Sequence, residues 1–188
     1  MGVKLNLIVA VSENMGIGKN GDLPWRLRNE MAHFSRLTTK TNDPSKKNVV
    51  LMGRLTWDSI PAKFKPLPNR INFVLTKSNL DFSSYENAHK FDSLQSAIDA
   101  LESDKYKALV ENVWVIGGAS VYKEALLSKY FYRLYLTKVQ KSFDCDTFFP
   151  SLPENLKEIS EANVPTEQQE EKGITYSYHV YENISEAV

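Results

Sequence analysis

The stretch Val113-Trp-Val-Ile-Gly-Gly-Ala-Ser-Val-Tyr122 runs from an apolar segment through two glycines into a short apolar segment over residues 120–127. An apolar run of this length, stopped by glycine, reads as a buried strand, and the segment after the glycines reads as a short helix. The same order recurs at Met52-Gly-Arg-Leu-Thr-Trp57, after the apolar residues 49–52. Residues 5–11 and 71–76 are further buried strands, and residues 27–39 and 93–101 are helices, the second with a Ser cap. Strands alternating with helices imply βαβ units and a largely parallel sheet. Near the C-terminus, Ile174, Tyr176, Tyr178 and Val180 alternate with Thr175, Ser177 and His179, and residues 132–139 alternate less cleanly. These two are expected as antiparallel edge strands. The fold class is therefore α/β: a single domain over 1–188, with a mixed, mostly parallel central β-sheet flanked by helices.

Composition narrows the function. The chain has 188 residues, 42% hydrophobic and 24% charged, which suits one globular core. Lys plus Arg and Asp plus Glu balance at 23 each, so no basic excess points to nucleic acid or a membrane surface. The single Cys145 excludes an intramolecular disulfide and has no Cys or His at ligand spacing. It reads as structural, and no metal site is expected. The apolar segment 7–11 is too short for a signal or spanning helix. Met1-Gly2 fails as a myristoylation signal because Asn6 stands where Ser or Thr is wanted, and the sequon Asn183-Ile-Ser185 is discounted. The expected address is the cytoplasm.

Three groups of residues carry chemistry. The loop Asn14-Met-Gly-Ile-Gly-Lys-Asn-Gly-Asp-Leu-Pro-Trp25 puts Gly16, Gly18 and Gly21 where backbone can approach a ligand closely. A plain surface loop is the alternative, and the glycine pattern is no Rossmann fingerprint because it opens into Asp22-Leu-Pro-Trp25 rather than a helix. On the following helix, Leu27, Glu30, Phe34 and Leu37 share one stripe, with Arg28, Asn29, Ser35 and Arg36 opposite. A carboxylate on an apolar stripe is costly unless paired or functional; the alternative is that Glu30 sits at the stripe's edge and reaches water. Gly53-Arg-Leu-Thr56, Thr76-Lys-Ser78 and Gly117-Gly-Ala-Ser-Val-Tyr122 each follow a buried strand, and two of them open a helix. Each alone is a common turn, but three on one sheet edge favour a dinucleotide across the strands' C-terminal ends.

Taken in order, residues 8–25, Arg28-Asn-Glu30, Met52-Gly-Arg, Thr56-Trp, Ser59-Ile-Pro61, Pro66-Leu-Pro-Asn-Arg70, Gly117-Gly118, Val121-Tyr122, Asp146-Thr-Phe-Phe-Pro150 and Glu170-Glu-Lys-Gly173 resemble dihydrofolate reductase of the animal type. That resemblance implies NADPH as cofactor and dihydrofolate as substrate, with folate as a second substrate left open. Antifolates would be inhibitors and the protein a monomer. It implies that Glu30 hydrogen-bonds the pterin beside Thr137 and supports protonation of N5, with Trp25 ordering a water. Ile8, Val9, Leu23, Met31, Phe34, Ile60, Phe64, Leu67 and Ile116 would line the substrate cleft, and Arg70 would clamp the α-carboxylate of the glutamate tail. Ala10, Gly16, Ile17, Gly18, Gly21 and Asp22 would border the cofactor. Gly53, Arg54, Leu55, Thr56, Leu75, Thr76, Lys77, Ser78, Gly117, Gly118, Ala119, Ser120, Val121 and Tyr122 would hold it, with a cis peptide at Gly117-Gly118.

Three positions depart from the family's pattern. Met31 replaces an aromatic residue, Leu55 a basic one, and Asp92 stands where a basic residue often holds the 2′-phosphate. The rival functions are a reductase of another heterocycle on the same fold and a non-catalytic folate-binding module. The first needs neither Glu30 nor Arg70, and the second would tolerate loss of Trp25, Glu30 or Thr137; all four are present.

Overall fold

The computed structural model describes residues 2–185. In chain order the elements are β1 (Leu5–Val11), β2 (Gly16–Gly18), α1 (Arg28–Thr39), β3 (Lys47–Gly53), α2 (Arg54–Ser59), a 3₁₀ turn (Ala62–Phe64), β4 (Ile71–Leu75) and β5 (Ala88–Phe91). There follow α3 (Leu94–Leu101), α4 (Asp104–Leu109), β6 (Val110–Gly117), α5 (Ala119–Leu127), β7 (Phe131–Val139), β8 (Thr147–Phe148), β9 (Leu156–Ile159), β10 (Gln169–Glu171) and β11 (Ile174–Asn183).

One nine-stranded sheet organises the molecule, in the order β10-β11-β7-β1-β6-β3-β4-β5, with β9 also paired to β11. The strands from β7 across to β5 are mutually parallel, and β9, β10 and β11 join antiparallel. The mixed, mostly parallel sheet is as expected; the placing of its last strands is not. β7 is an interior strand running parallel to β1, and β11 lies between β7 and its own antiparallel neighbours. β7 is buried on both faces over residues 134–137, and the period-two pattern of β11 does not distinguish an edge from a neighbouring interior strand. The buried strands are longer than their apolar cores suggest: β3 begins at Lys47 and β6 at Val110, because backbone pairing continues past the buried side chains.

Each face of the sheet has its own core. Leu5, Leu7, Leu51, Phe73 and Val115 pack with α3 and α5 on one side. Val50, Met52, Val74, Trp114 and Tyr135 pack with Leu37 of α1 and Trp57 of α2 on the other. Burial on both faces explains the near-continuous Val/Ile/Leu runs of the parallel strands. Each such side chain contributes roughly 1.5–3 kcal/mol relative to exposure.

The helix ends differ in how they are satisfied, and this matters for the site. α3 begins with a reciprocal box in which Ser93 accepts from the Ser96 amide. The cap position of α1 is Leu27, which offers no side-chain acceptor. α2 and α5 begin at Gly53 and Gly118, again without a side-chain cap. Thr38 and Thr39 close α1 by donating back to the carbonyls of Phe34 (2.8 Å) and Ser35 (2.6 Å). Buried Asn48 then ties this end to the sheet, donating to the Thr38 and Lys40 carbonyls and accepting from the Asn112 amide.

The glycine loop is pinned rather than loose. β2 pairs antiparallel with β8, the Asn20 amide donates to Asp146 at 2.9 Å, and Lys19 pairs with Asp144 at 3.1 Å. A Cβ on Gly16 would lie 2.6 Å from the Cys145 Cβ, so glycine is required there by close approach of the two segments.

Candidate active site

Parallel pairing sets the C-terminal ends of β7, β1, β6, β3 and β4 side by side, with Ala10 opposite Thr137, Met52 opposite Gly117 and Gly53 opposite Leu75. Residues that are far apart in sequence thereby share one edge. Glu30 stands on the first turn of α1 against it and is buried. Its partner is Thr137 of β7, whose hydroxyl donates to Oε1 at 3.0 Å. Burial pushes the Glu30 carboxyl above the ordinary carboxylate range, and the Thr137 hydrogen bond only partly opposes this. The carboxylate therefore does not escape to water at the stripe's edge.

The tyrosines and the histidine beside it are neutral at neutral pH. Burial raises Tyr122, Tyr176 and Tyr178 above their usual range. It lowers His33, stacked on Tyr178 at 3.9 Å, to about 4. Trp25 is buried nearby with its Nε1–H unpartnered, a donor that calls for a water or ligand acceptor. The Tyr122 hydroxyl donates to the Ile8 carbonyl at 2.8 Å and locks α5 onto β1.

Around this polar point the surroundings are apolar. Ile8 and Val9 are buried, and Phe34, Ile60, Leu67 and Ile116 are half-buried. Leu23, Met31, Leu55 and Phe64 are among the few large hydrophobic side chains left exposed.

Arg70 lies in the loop before β4. It is 4% exposed, donates from Nε to the Pro68 carbonyl and from Nη1 to Thr38 Oγ1, both at 2.9 Å, and makes no ion pair among the described residues. Asn72 holds that loop through the Leu67 amide and carbonyl. Burial lowers the guanidinium pKa from its usual value, but arginine keeps its charge at neutral pH. A buried cation without a counter-charge is costly unless an anion arrives.

The strand ends carry the third feature. Gly117 has φ 131°, and a Cβ there would lie 3.1 Å from Thr56 Oγ1, so both conformation and space demand glycine. The peptide Gly117-Gly118 is cis, as expected. α5 opens directly after it, and its first amides, those of Ala119, Ser120 and Val121, have no side-chain cap. Unclaimed amides and the positive end of the helix dipole suit phosphate. α2 opens in the same way at Gly53, where Arg54 pairs loosely with Asp58 at 3.4 Å.

A family model described as dihydrofolate reductase matches residues 4–183. The dihydrofolate reductase of Sus scrofa is 50% identical over 182 residues, covering 95% of this chain and 97% of that protein. The Drosophila melanogaster enzyme is 43% identical, covering 97% and 100%. This chain belongs to the dihydrofolate reductase family. A solved Schistosoma mansoni dihydrofolate reductase superposes with a TM-score of 0.86 at 40% identity, covering 97% of this chain and all of that one. Membership makes the protein an oxidoreductase that works with a nicotinamide cofactor.

Thr76 and Ser78 share a 2.9 Å hydroxyl contact, and Lys77 is exposed beside them. Asp92 does not face inward unopposed: its carboxylate accepts from Ser96 Oγ at 3.0 Å at the start of α3. Lys90, which no sequence signal marks, donates to the Ser78 carbonyl at 2.7 Å. Only the pairing of β4 with β5, which sets Val74 opposite Lys90, brings it there. Thr38, holding Arg70, also escapes sequence reasoning, although it lies one turn beyond Phe34 on the apolar stripe. Among the described residues, no helix is long and apolar enough to cross a membrane, and no cluster of His, Cys, Asp or Glu is placed to hold a metal.

Proposed function

We propose that this protein reduces 7,8-dihydrofolate to 5,6,7,8-tetrahydrofolate with NADPH, as a monomeric domain over 1–188 acting in the cytoplasm. The observation that carries the reading is Glu30, a buried carboxyl with raised pKa whose side-chain hydrogen-bond partner is Thr137. The pterin's 2-amino group and N3 offer donors that such a carboxylate accepts. When bound, NADPH supplies the hydride that passes from nicotinamide C4 to pterin C6. Glu30 supports delivery of the matching proton to N5, with the free Trp25 N–H suited to hold the intervening water. Met31, Phe34, Ile60, Phe64 and Leu67 offer apolar area to the substrate's rings, and Arg70 offers its fork to the glutamate tail. Antifolates would occupy the same cleft.

The residues present fit the dinucleotide: the amides of α2 and α5 are uncapped, and glycine is demanded at 117. Mixing the protein, NADPH and dihydrofolate and following loss of reduced-nicotinamide absorbance tests the activity. Absence of turnover by folded protein would sink it.

The 2′-phosphate site is expected to work without a basic residue at 92. Lys77, Lys90, Thr76 and Ser78 supply charge and donors, and a charge-assisted hydrogen bond contributes roughly 1.5–3 kcal/mol. Two of them correspond to a preference for NADPH over NADH of about two to four decades. Lys77→Ala and Lys90→Met should each weaken NADPH binding at low salt and leave NADH nearly untouched. Asp92→Arg should tighten NADPH modestly, since two solvated unit charges about 4 Å apart feel only about 1 kcal/mol. Dissociation constants for both cofactors at two ionic strengths check this, and equal affinities in the parent would defeat the NADPH assignment.

A further inference from the structure

The start of α1 presents a problem that the chain solves from far away. Its cap position is the apolar Leu27, so the first amides have no local acceptor, yet Glu30 sits in this same turn. The Arg28 amide donates to Glu171 Oε2 at 2.8 Å and the Asn29 amide to Glu171 Oε1 at 2.9 Å. One carboxylate, 143 and 142 positions distant, thus takes two successive helix amides in a fork. It also places a negative charge at the positive end of the helix dipole. The hairpin aims it: Lys172 and Gly173 turn β10 into β11 with φ 53° and 75°, and Glu171 pairs with Ile174. β11 in turn pairs with β7, setting Tyr178 opposite Thr137, the residue that holds the Glu30 carboxyl. The same antiparallel unit therefore grips the acid twice, once through its side chain and once through its helix.

We propose that Glu171 is a positioning residue for the reduction: by capping α1 from the β10–β11 hairpin, it keeps Glu30 seated against Thr137 in the dry cleft. This rests on Glu30 being the group that supports N5 protonation. Without the cap, the first turn opens and water reaches the carboxyl, so the desolvation that raises its pKa falls. The other titratable groups facing Glu30 are Tyr122 of α5 and Tyr176 and Tyr178 of β11, all neutral through the working range. His33, one turn along α1, is neutral above about 4. None of them offers a charge that would mask the change.

Glu171→Gln keeps the shape but loses the charge and one acceptor, and Glu171→Asp keeps the charge on a shorter stem. Neighbouring Glu170, exposed on β10, provides the control Glu170→Gln. The readouts are amide exchange at Arg28 and Asn29 and the pH profile of the hydride-transfer step. In Glu171→Gln both amides should exchange faster, and hydride transfer at neutral pH should slow about five- to tenfold, the size of one lost helix cap. The midpoint of the profile should move down toward the ordinary carboxylate value. Glu171→Asp should recover much of the rate, and Glu170→Gln should match the parent. Faster amide exchange with an unmoved pH profile in both Glu171 variants would overturn the proposal, leaving a cap of purely structural value. If Glu30→Gln is itself as active as the parent, the functional reading fails instead, and the amide-exchange data still report the cap separately.

Discussion

Replacing Glu30 by Gln is expected to slow hydride transfer at neutral pH by about 10²–10⁴-fold, the usual span for a lost acid–base group. Glutamine keeps the size of the side chain and can accept from Thr137, so the cleft should survive. What disappears is the carboxyl whose pKa burial has raised. The three tyrosines around it are themselves pushed away from the working range and cannot substitute. The deficit should shrink as pH falls, because solvent can then protonate N5 unaided. Stability should move the other way. A carboxyl with a folded pKa above its unfolded value loses stability as pH rises from the unfolded value toward the folded one, since the unfolded chain releases its proton first. At neutral pH the Gln variant is therefore expected to be at least as stable as the parent, with its relative advantage smaller at acid pH. Single-turnover rates across pH, with denaturant unfolding at the same pH values, check both parts. Near-normal turnover of the Gln variant at neutral pH would refute the role.

The second large effect is at Arg70. Arg70→Leu should raise the Michaelis constant for dihydrofolate by the equivalent of roughly 2–5 kcal/mol, the cost of leaving a desolvated carboxylate unpaired. That corresponds to roughly thirtyfold at the lower end. The guanidinium is nearly fully buried, is held in place by Thr38 and the Pro68 carbonyl, and meets no carboxylate of its own chain among the described residues. Removing such a charge should not unfold the protein, because an apolar side chain avoids the desolvation cost. A dihydropterin without the glutamate should be indifferent to the change. Equal losses with both substrates would make Arg70 a structural residue and overturn its assignment.

Much of this protein is legible in one dimension because the relevant signals are local. Buried parallel strands need near-continuous apolar runs, so β1 appears with its observed bounds despite Asn6, and Ser93 announces α3 by its own chemistry. Glu30 stands out because a carboxylate on an apolar stripe needs a reason, and Gly117-Gly118 because two glycines end a buried strand before a helix. The sequence by itself therefore determined the α/β class, the costly carboxylate and the strand ends where a dinucleotide fits. Pairing across the sheet decided the rest. Alternation could not say that β7 is interior and parallel, because face polarity is blind to a strand's neighbours. Nothing near Leu27 shows that α1 is capped, since its acceptor is Glu171 on a distant hairpin. Lys90 reaches Ser78 only through the pairing of β4 with β5, and Thr38 reaches Arg70 only because α1 packs beside the loop that Asn72 holds. Propensity and periodicity act over a turn or a few residues, whereas a hydrogen bond between separate elements of the chain exists only after the core has brought them together.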